Sequence, residues 1–190
     1  MWYFLVILGA AVNFYGCTIY IRDIFRGTTR PNLVTWVLWA LAPLIAAGAA
    51  FYAGNRWVVL PTFMVGFCPI LVIIAAIIKK NAIWQPSNFD YFCGSLSLMA
   101  LILLLFTKNA DLAIVFSIIS DLLAGLPTLK KAWLFPDTES GITYIAALFN
   151  IFTSFTVLKI YNFSELAFPI YSVFLNFSMS FFIYRKKFKL

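Results

Sequence analysis

Seven apolar runs, at residues 2–21, 33–53, 57–78, 89–107, 110–129, 141–161 and 166–184, decide what this sequence can fold into. Crossing a hydrocarbon core about 30 Å thick takes about 20 residues of helix at about 1.5 Å per residue. Each run is expected to meet that length. The runs are continuous rather than alternating in polarity, so helices are predicted and barrel strands are not. Composition agrees: 63% of the 190 residues are hydrophobic and 11% are charged, against about 25% charged in a soluble domain. That balance excludes a cytosolic enzyme, a disordered chain and a secreted disulfide scaffold. Seven spans take up about 140 residues, which leaves no room for an extramembrane or nucleotide-binding domain. Energy from ATP would therefore need another subunit. The first run lacks a basic n-region and is too long for an h-region, so it reads as a span and not as a cleaved signal peptide.

Histidine is absent, and Cys17, Cys68 and Cys93 all lie in apolar stretches. These facts exclude a histidine metal site, a Cys–His nucleophile and a Cys-x-x-Cys motif, and the cysteines read as small buried apolar residues. No catalytic constellation is visible, so an enzyme is not expected, and neither is a cofactor or a metal. The net charge of +7 sits at the ends of apolar runs, which points to lipid headgroups and not to nucleic acid. Connections are marked by Gly27-Thr28-Thr29-Arg30-Pro31-Asn32, Gly54-Asn55, Gln85-Pro86-Ser87 and Pro136-Asp137, with a tight turn at Thr107-Lys108-Asn109.

With seven spans, Arg22, Arg26, Arg30, Lys79, Lys80, Lys130, Lys131, Arg185, Lys186, Lys187 and Lys189 fall on one side. Arg56, Lys108 and Lys159 fall on the other. This asymmetry predicts an external N-terminus and a cytoplasmic C-terminus. The basic tail reads as an anchor on anionic lipid, or as a trafficking or partner signal.

Compared with itself at an offset of 108 residues, the chain comes into register. Arg22 falls on Lys130, Thr35-Trp36 on Thr143-Tyr144, Pro61 on Pro169, Val65 on Val173 and Lys79 on Lys187. Three helices then match three helices, and the fourth is a linker that gives both units the same orientation. The predicted organisation is a first three-helix repeat over 1–80, a linker helix over 81–108, and a second repeat over 109–190 with the basic tail. Repeats of this kind place a solute site near the midplane, between the halves.

The stretch Gly125-Leu126-Pro127-Thr128-Leu129-Lys130-Lys131-Ala132-Trp133, followed by Asp137-Thr138-Glu139-Ser140-Gly141-Ile142-Thr143, resembles the PQ-loop pattern. That superfamily includes the SWEET and SemiSWEET sugar carriers and the lysosomal cystine and cationic amino-acid exporters. The family pattern is a Pro-Gln pair, a short basic loop and a Ser/Thr-Gly-x-Ser helix start. This chain has Pro127-Thr128 in place of Pro-Gln, and Ile19-Tyr20 at the equivalent place in the first half. The bacterial nicotinamide-riboside carriers share the 3+1+3 helix order. The resemblance implies an all-α membrane protein that moves a sugar, amino acid or nucleoside-like solute by alternating access. It further implies that Asn176 contacts substrate, with Cys68 as its first-half counterpart. Asn150 resembles the place of a carboxylate in the proton-coupled exporters.

Of the carboxylates, Asp23, Asp90, Asp111, Asp137, Glu139 and Glu165 lie at connections or span ends, while Asp121 lies well inside a span. A charged Asp at a helix centre costs about 2.5–3.5 kcal/mol on insertion scales, so it needs a partner or a wet cavity. Asp121 is read either as a binder of a proton or a cationic group, hence the proton-coupling residue, or as a neutral cross-link between helices. Asn13 is its counterpart in the first span, and Asn150 and Asn176 add amides at membrane depth. Thr143, Ala147, Asn150 and Ser154 share one helix face, as do Ser172, Asn176 and Met179. Tight helix packing competes with solute binding for each of these amides and small-residue stripes.

Trp36, Trp39 and Pro43 also share a face. The two indoles read as a pocket wall for a ring or a flat cation, or, for Trp36, as an interfacial anchor. Trp57, Trp84 and Trp133 read as belt residues. Pro43, Pro69 and Pro127 lie within spans and free the carbonyls of Trp39, Val65 and Leu123, as hinges or as static kinks.

The expectation is therefore a seven-helix carrier of a small polar solute, a facilitator or proton-coupled, in contact with lipid and able to form homo-oligomers. The alternative is a non-transporting receptor, as in the KDEL receptors of the same architecture, or a structural subunit of a membrane complex. A polar cavity around Asp121 and Asn176 favours transport, and a solidly packed centre favours the alternative.

Overall fold

A computed structural model describes residues 3–52, 56–80, 83–107, 109–158 and 162–188. Among these residues the chain is all-helical. Its α-helices are α1 (Tyr3–Arg26), α2 (Leu33–Tyr52), α3 (Arg56–Lys79), α4 (Asn88–Phe106), α5 (Ala110–Leu134), α6 (Ile142–Phe155) and α7 (Phe163–Tyr184). Short 3₁₀ turns at Pro136–Thr138 and Arg185–Phe188 complete it. The expected connection Gly54-Asn55 and the basic residues Lys108, Lys159 and Lys189 lie outside the described residues.

Local signals set the ends. Gly27 takes a φ of 77° just past α1, a left-handed conformation that suits glycine and lets the Thr28 amide reach back to the Asp23 carbonyl at 3.1 Å. At the start of α4 the Ser87 amide donates to Asp90 Oδ2 at 2.6 Å, and at the start of α5 Asn109 Oδ1 accepts from the Leu112 amide at 3.1 Å.

Two helices depart from expectation. α5 runs to Leu134 and not to 129, because Lys130, Lys131 and Ala132 are good helix formers and Lys131 finds partners at the helix end. α6 ends at Phe155 rather than near 161. The hydroxyls of Thr153, Ser154 and Thr156 bond back to the carbonyls of Asn150, Ile151 and Thr153 at 2.6–2.7 Å, and the Thr156 amide turns to the Thr153 carbonyl in a tight last turn. With 14 residues, α6 is about 21 Å long.

Among the described residues, five helices are long and apolar enough to cross a membrane: Phe4–Arg26, Thr62–Lys79, Asn88–Phe106, Asp111–Leu134 and Leu166–Tyr184. Of the other two helices, α2 counts 20 residues and α6, with 14, is shorter than its apolar run. Large apolar side chains such as Phe4, Leu105, Phe106, Phe152, Phe174 and Phe177 stand exposed. An apolar exterior of this extent suits lipid and not water, which fits a multi-pass membrane protein.

The packing follows a pattern. α3 lies against both α1 and α2, whose backbones stay apart among the described residues, and α7 lies in the same way against both α5 and α6. The two sets meet crosswise, through α1 with α6 and α2 with α5, and α4 packs on α5 and α2. Helix ends alternate. The Arg30 amide donates to the Thr138 carbonyl at 3.0 Å and the Trp84 amide to the Pro31 carbonyl at 3.1 Å. The Asn32 amide group donates to Asp90, and the Arg185 guanidinium to the carbonyls of Ala132 and Trp133. The C-terminal ends of α1, α3, α5 and α7 thus meet the N-terminal ends of α2, α4 and α6. Arg22, Arg26, Arg30, Lys79, Lys80, Lys130, Lys131, Arg185 and Lys186 gather at this end, referred to below as the basic end.

Candidate functional site

Asp121 sits on α5 facing the seam between α2 and α7. The Tyr171 hydroxyl of α7 donates to its Oδ2 at 2.8 Å, and the Trp39 indole N–H of α2 donates to its backbone carbonyl at 3.2 Å. None of the salt bridges among the described residues involves Asp121. The residue as a whole is half-buried, and among the described residues one phenol donates to its carboxyl.

Trp39 continues toward the basic end as part of an aromatic column. Trp36 and Trp39 meet edge-on at 5.7 Å, Tyr20 packs on Trp36 at 4.8 Å, and Tyr144 meets Trp39 at 6.4 Å. Such edge and tilted pairs contribute about 0.5–1.5 kcal/mol each beyond burial. Gly125 allows this: a Cβ there would lie 3.1 Å from the Trp39 ring. Trp36 is only 4% exposed, so it is an interior residue and not an interfacial anchor. Trp133 stands exposed beneath Arg185, whose guanidinium lies 4.1 Å from its ring centre, as a belt residue does. Trp84 is half-buried against Phe135.

The amides do not join Asp121. Asn150 is buried on α6, where its Oδ1 has no hydrogen-bond partner. A Cβ on Gly9 would lie 3.0 Å from that oxygen and 2.0 Å from Thr153 Oγ1, and a Cβ on Gly16 would lie 2.5 Å from Ala146 Cβ. Gly9 and Gly16 therefore bring the α1 and α6 backbones close, and Asn13 is buried between them on the same α1 face. Asn176 turns to its own helix, donating to the Ser172 carbonyl at 2.9 Å. Of the predicted substrate residues, the structure brings Trp36, Trp39 and Asp121 together and leaves Asn13 and Asn150 at the α1–α6 seam. Pro43, Pro69 and Pro127 are all buried, and α2, α3 and α5 continue through them.

Lys131 and Glu139 lie near a connection in the sequence. They are instead the most deeply buried charges among the described ion pairs, with side chains 1% and 0% exposed and Nζ to Oε1 at 2.5 Å. Glu139 Oε2 accepts from the Tyr20 hydroxyl at 2.9 Å and the Tyr144 hydroxyl at 3.3 Å. Lys131 also donates to the Arg30 carbonyl and lies over the Trp84 ring. Around it the Ser140 hydroxyl donates to Asp23 at 2.7 Å and the Thr128 hydroxyl to Thr35 at 2.9 Å. Asp90, also expected at a span end, is buried and takes bonds from Ser87 and Asn32. Hydropathy registers the charge of such residues but not their depth. Tyr171 was missed because a phenol in an apolar run carries no signal until its partner is known. Among the described residues, no group of three His, Cys, Asp or Glu side chains is placed to hold a metal ion.

No protein-family model, no curated protein and no solved structure matches this chain.

Proposed function

We propose that the chain is a carrier for a small polar solute, built as two parallel three-helix units joined by α4 and working by alternating access. The observation that supports this best is the packing pattern. The order α1–α3–α2 recurs as α5–α7–α6, and the crosswise contacts α1–α6 and α2–α5 exchange under a two-fold rotation. Arg30 and Thr138, counterparts at the 108-residue offset, hydrogen-bond to each other, as residues beside a two-fold axis do. Repeats of this kind are used by transporters that rock one unit against the other.

On this reading the solute site is the seam lined by Asp121, Tyr171 and Trp39. A carboxyl with one phenol and, among the described residues, no ion-pair partner suits a proton or a cationic group, and the indole suits a ring or flat cation. Asn13, Asn150 and Asn176 remain substrate contacts only if the units move, because each is turned to helix packing in this state. The resemblance to PQ-loop carriers adds sugars, amino acids and nucleosides as the classes of solute. Lysine and arginine placement puts the basic end in the cytoplasm and the N-terminus outside.

One observation favours a second reading, a non-transporting receptor or structural subunit: the interlocked column of Tyr20, Trp36, Trp39 and Tyr144. Thermal unfolding of the purified protein over a panel of sugars, amino acids and nucleosides tests the carrier reading. A solute class that raises Tm for the wild type and not for Asp121→Asn supports it. A panel without effect supports the packed subunit.

A further inference from the structure

We infer that Glu139, fixed by Lys131, is the hub of a latch that holds the two units shut at the basic end, and that Tyr20 is its release point. This rests on the carrier reading. Glu139 divides its two oxygens. Oε1 takes Lys131 from its own unit at 2.5 Å. Oε2 takes Tyr144, again from its own unit, at 3.3 Å, and Tyr20 of the opposite unit at 2.9 Å.

Four further hydrogen bonds in the neighbourhood cross between units. Lys131 donates to the Arg30 carbonyl, Ser140 to Asp23 and Thr128 to Thr35, and the Arg30 amide donates to Thr138. Opening the basic end requires these bonds to break while Lys131–Glu139 and Tyr144–Glu139 stay intact. A buried carboxylate stripped of all partners is costly. Because Lys131 and Tyr144 travel with Glu139, the carboxylate never loses all its partners when Tyr20 leaves. The latch can therefore open without stranding a charge.

Two tyrosines donating to the same oxygen give a matched test. Tyr20→Phe removes a bond between units, whereas Tyr144→Phe removes a bond within one. The reporter is a single cysteine at Ala147, one turn into α6 from Thr143, in a protein with Cys17, Cys68 and Cys93 changed to Ala. Its reaction with a membrane-impermeant thiol reagent is measured from the basic side of proteoliposomes. A hydrogen bond to a charged group sets the closed-to-open ratio by a factor on the order of ten. Tyr20→Phe is expected to speed labelling by about that factor and Tyr144→Phe to leave it near the wild-type rate. Ser140→Ala, which breaks a second bond between units, is expected to speed labelling as well and serves if Tyr20→Phe does not fold. Equal rates for Tyr144→Phe and the variants between units overturn the latch. Labelling reports opening whether or not a solute crosses, so this outcome leaves the carrier reading standing.

Discussion

The Tyr171 hydroxyl reaches Asp121 Oδ2 at 2.8 Å, across fifty residues of sequence and from α7 to α5. Trp39 of α2 holds the backbone of the same residue at 3.2 Å. Three helices from both proposed units therefore converge on one residue. Among the described residues no salt bridge reaches it, so on the carrier reading a charge there takes a proton or a bound cation.

Asp121→Asn separates titration from shape. The amide still accepts from Tyr171 and keeps the seam filled, but it cannot bind a proton. The variant is expected to fold like the wild type and to lose the pH dependence of solute uptake. Superimposable pH profiles for the two proteins in proteoliposomes would mean that Asp121 only cross-links helices.

Glycine contacts between α1 and α6 give a stability test. A methyl at Gly16 meets Ala146 Cβ at 2.5 Å and the Thr143 backbone at 3.3 Å. Gly16→Ala is expected to destabilise by about 1–3 kcal/mol, as overpacking does. Gly48 on α2 has nothing among the described residues within 4 Å of its added Cβ, so Gly48→Ala is expected to be neutral or to stabilise by up to about 1 kcal/mol. Thermal unfolding in the same detergent compares them. Equal effects would contradict the close α1–α6 approach.

Much of this arrangement is legible in the sequence. Helix starts at Leu33, Asn88 and Ala110 lie within one residue of where the apolar runs at 33, 89 and 110 begin. Asp121 stands out because a carboxylate amid leucines is costly wherever the helix goes. The early end of α6 is less visible: Thr153, Ser154 and Thr156 are compatible with a helix, and only their back-bonding shows that it stops. Lys131 and Glu139 are legible as charges and illegible as a pair. They lie eight positions apart with a 3₁₀ turn between them, and their burial depends on Tyr20 and Arg30 arriving from the other half of the chain. Asn13 and Asn150 show the converse. Their depth is readable, but whether an amide faces solute or a glycine notch depends on helix rotation, which periodicity leaves open.

The buried ion pair predicts an asymmetry between single and double substitution. Lys131→Met leaves the Glu139 carboxylate buried without its cation, a loss expected to cost about 3–5 kcal/mol. Adding Glu139→Gln removes the charge and keeps an acceptor for Tyr20 and Tyr144, so the double variant is expected to recover most of that loss. Additive losses in denaturant unfolding would contradict a coupled buried pair.

Pro127 tests motion rather than stability. It lies buried inside α5, six residues beyond Asp121, and leaves the Leu123 carbonyl without its helical donor. Pro127→Ala restores that bond. The expected result is slower exchange between the two open states with unchanged membrane insertion, read by single-molecule distance measurements across the basic end. Unchanged exchange would make the proline a static kink.

Uptake itself is the most direct test of the central claim. Wild-type protein in proteoliposomes is presented with labelled sugars, amino acids and nucleosides, beside protein-free vesicles and the Asp121→Asn variant. The account predicts saturable accumulation of at least one solute class above the protein-free level, reduced or made indifferent to pH by Asp121→Asn. Uptake equal to that of empty vesicles for every member of the panel would contradict it.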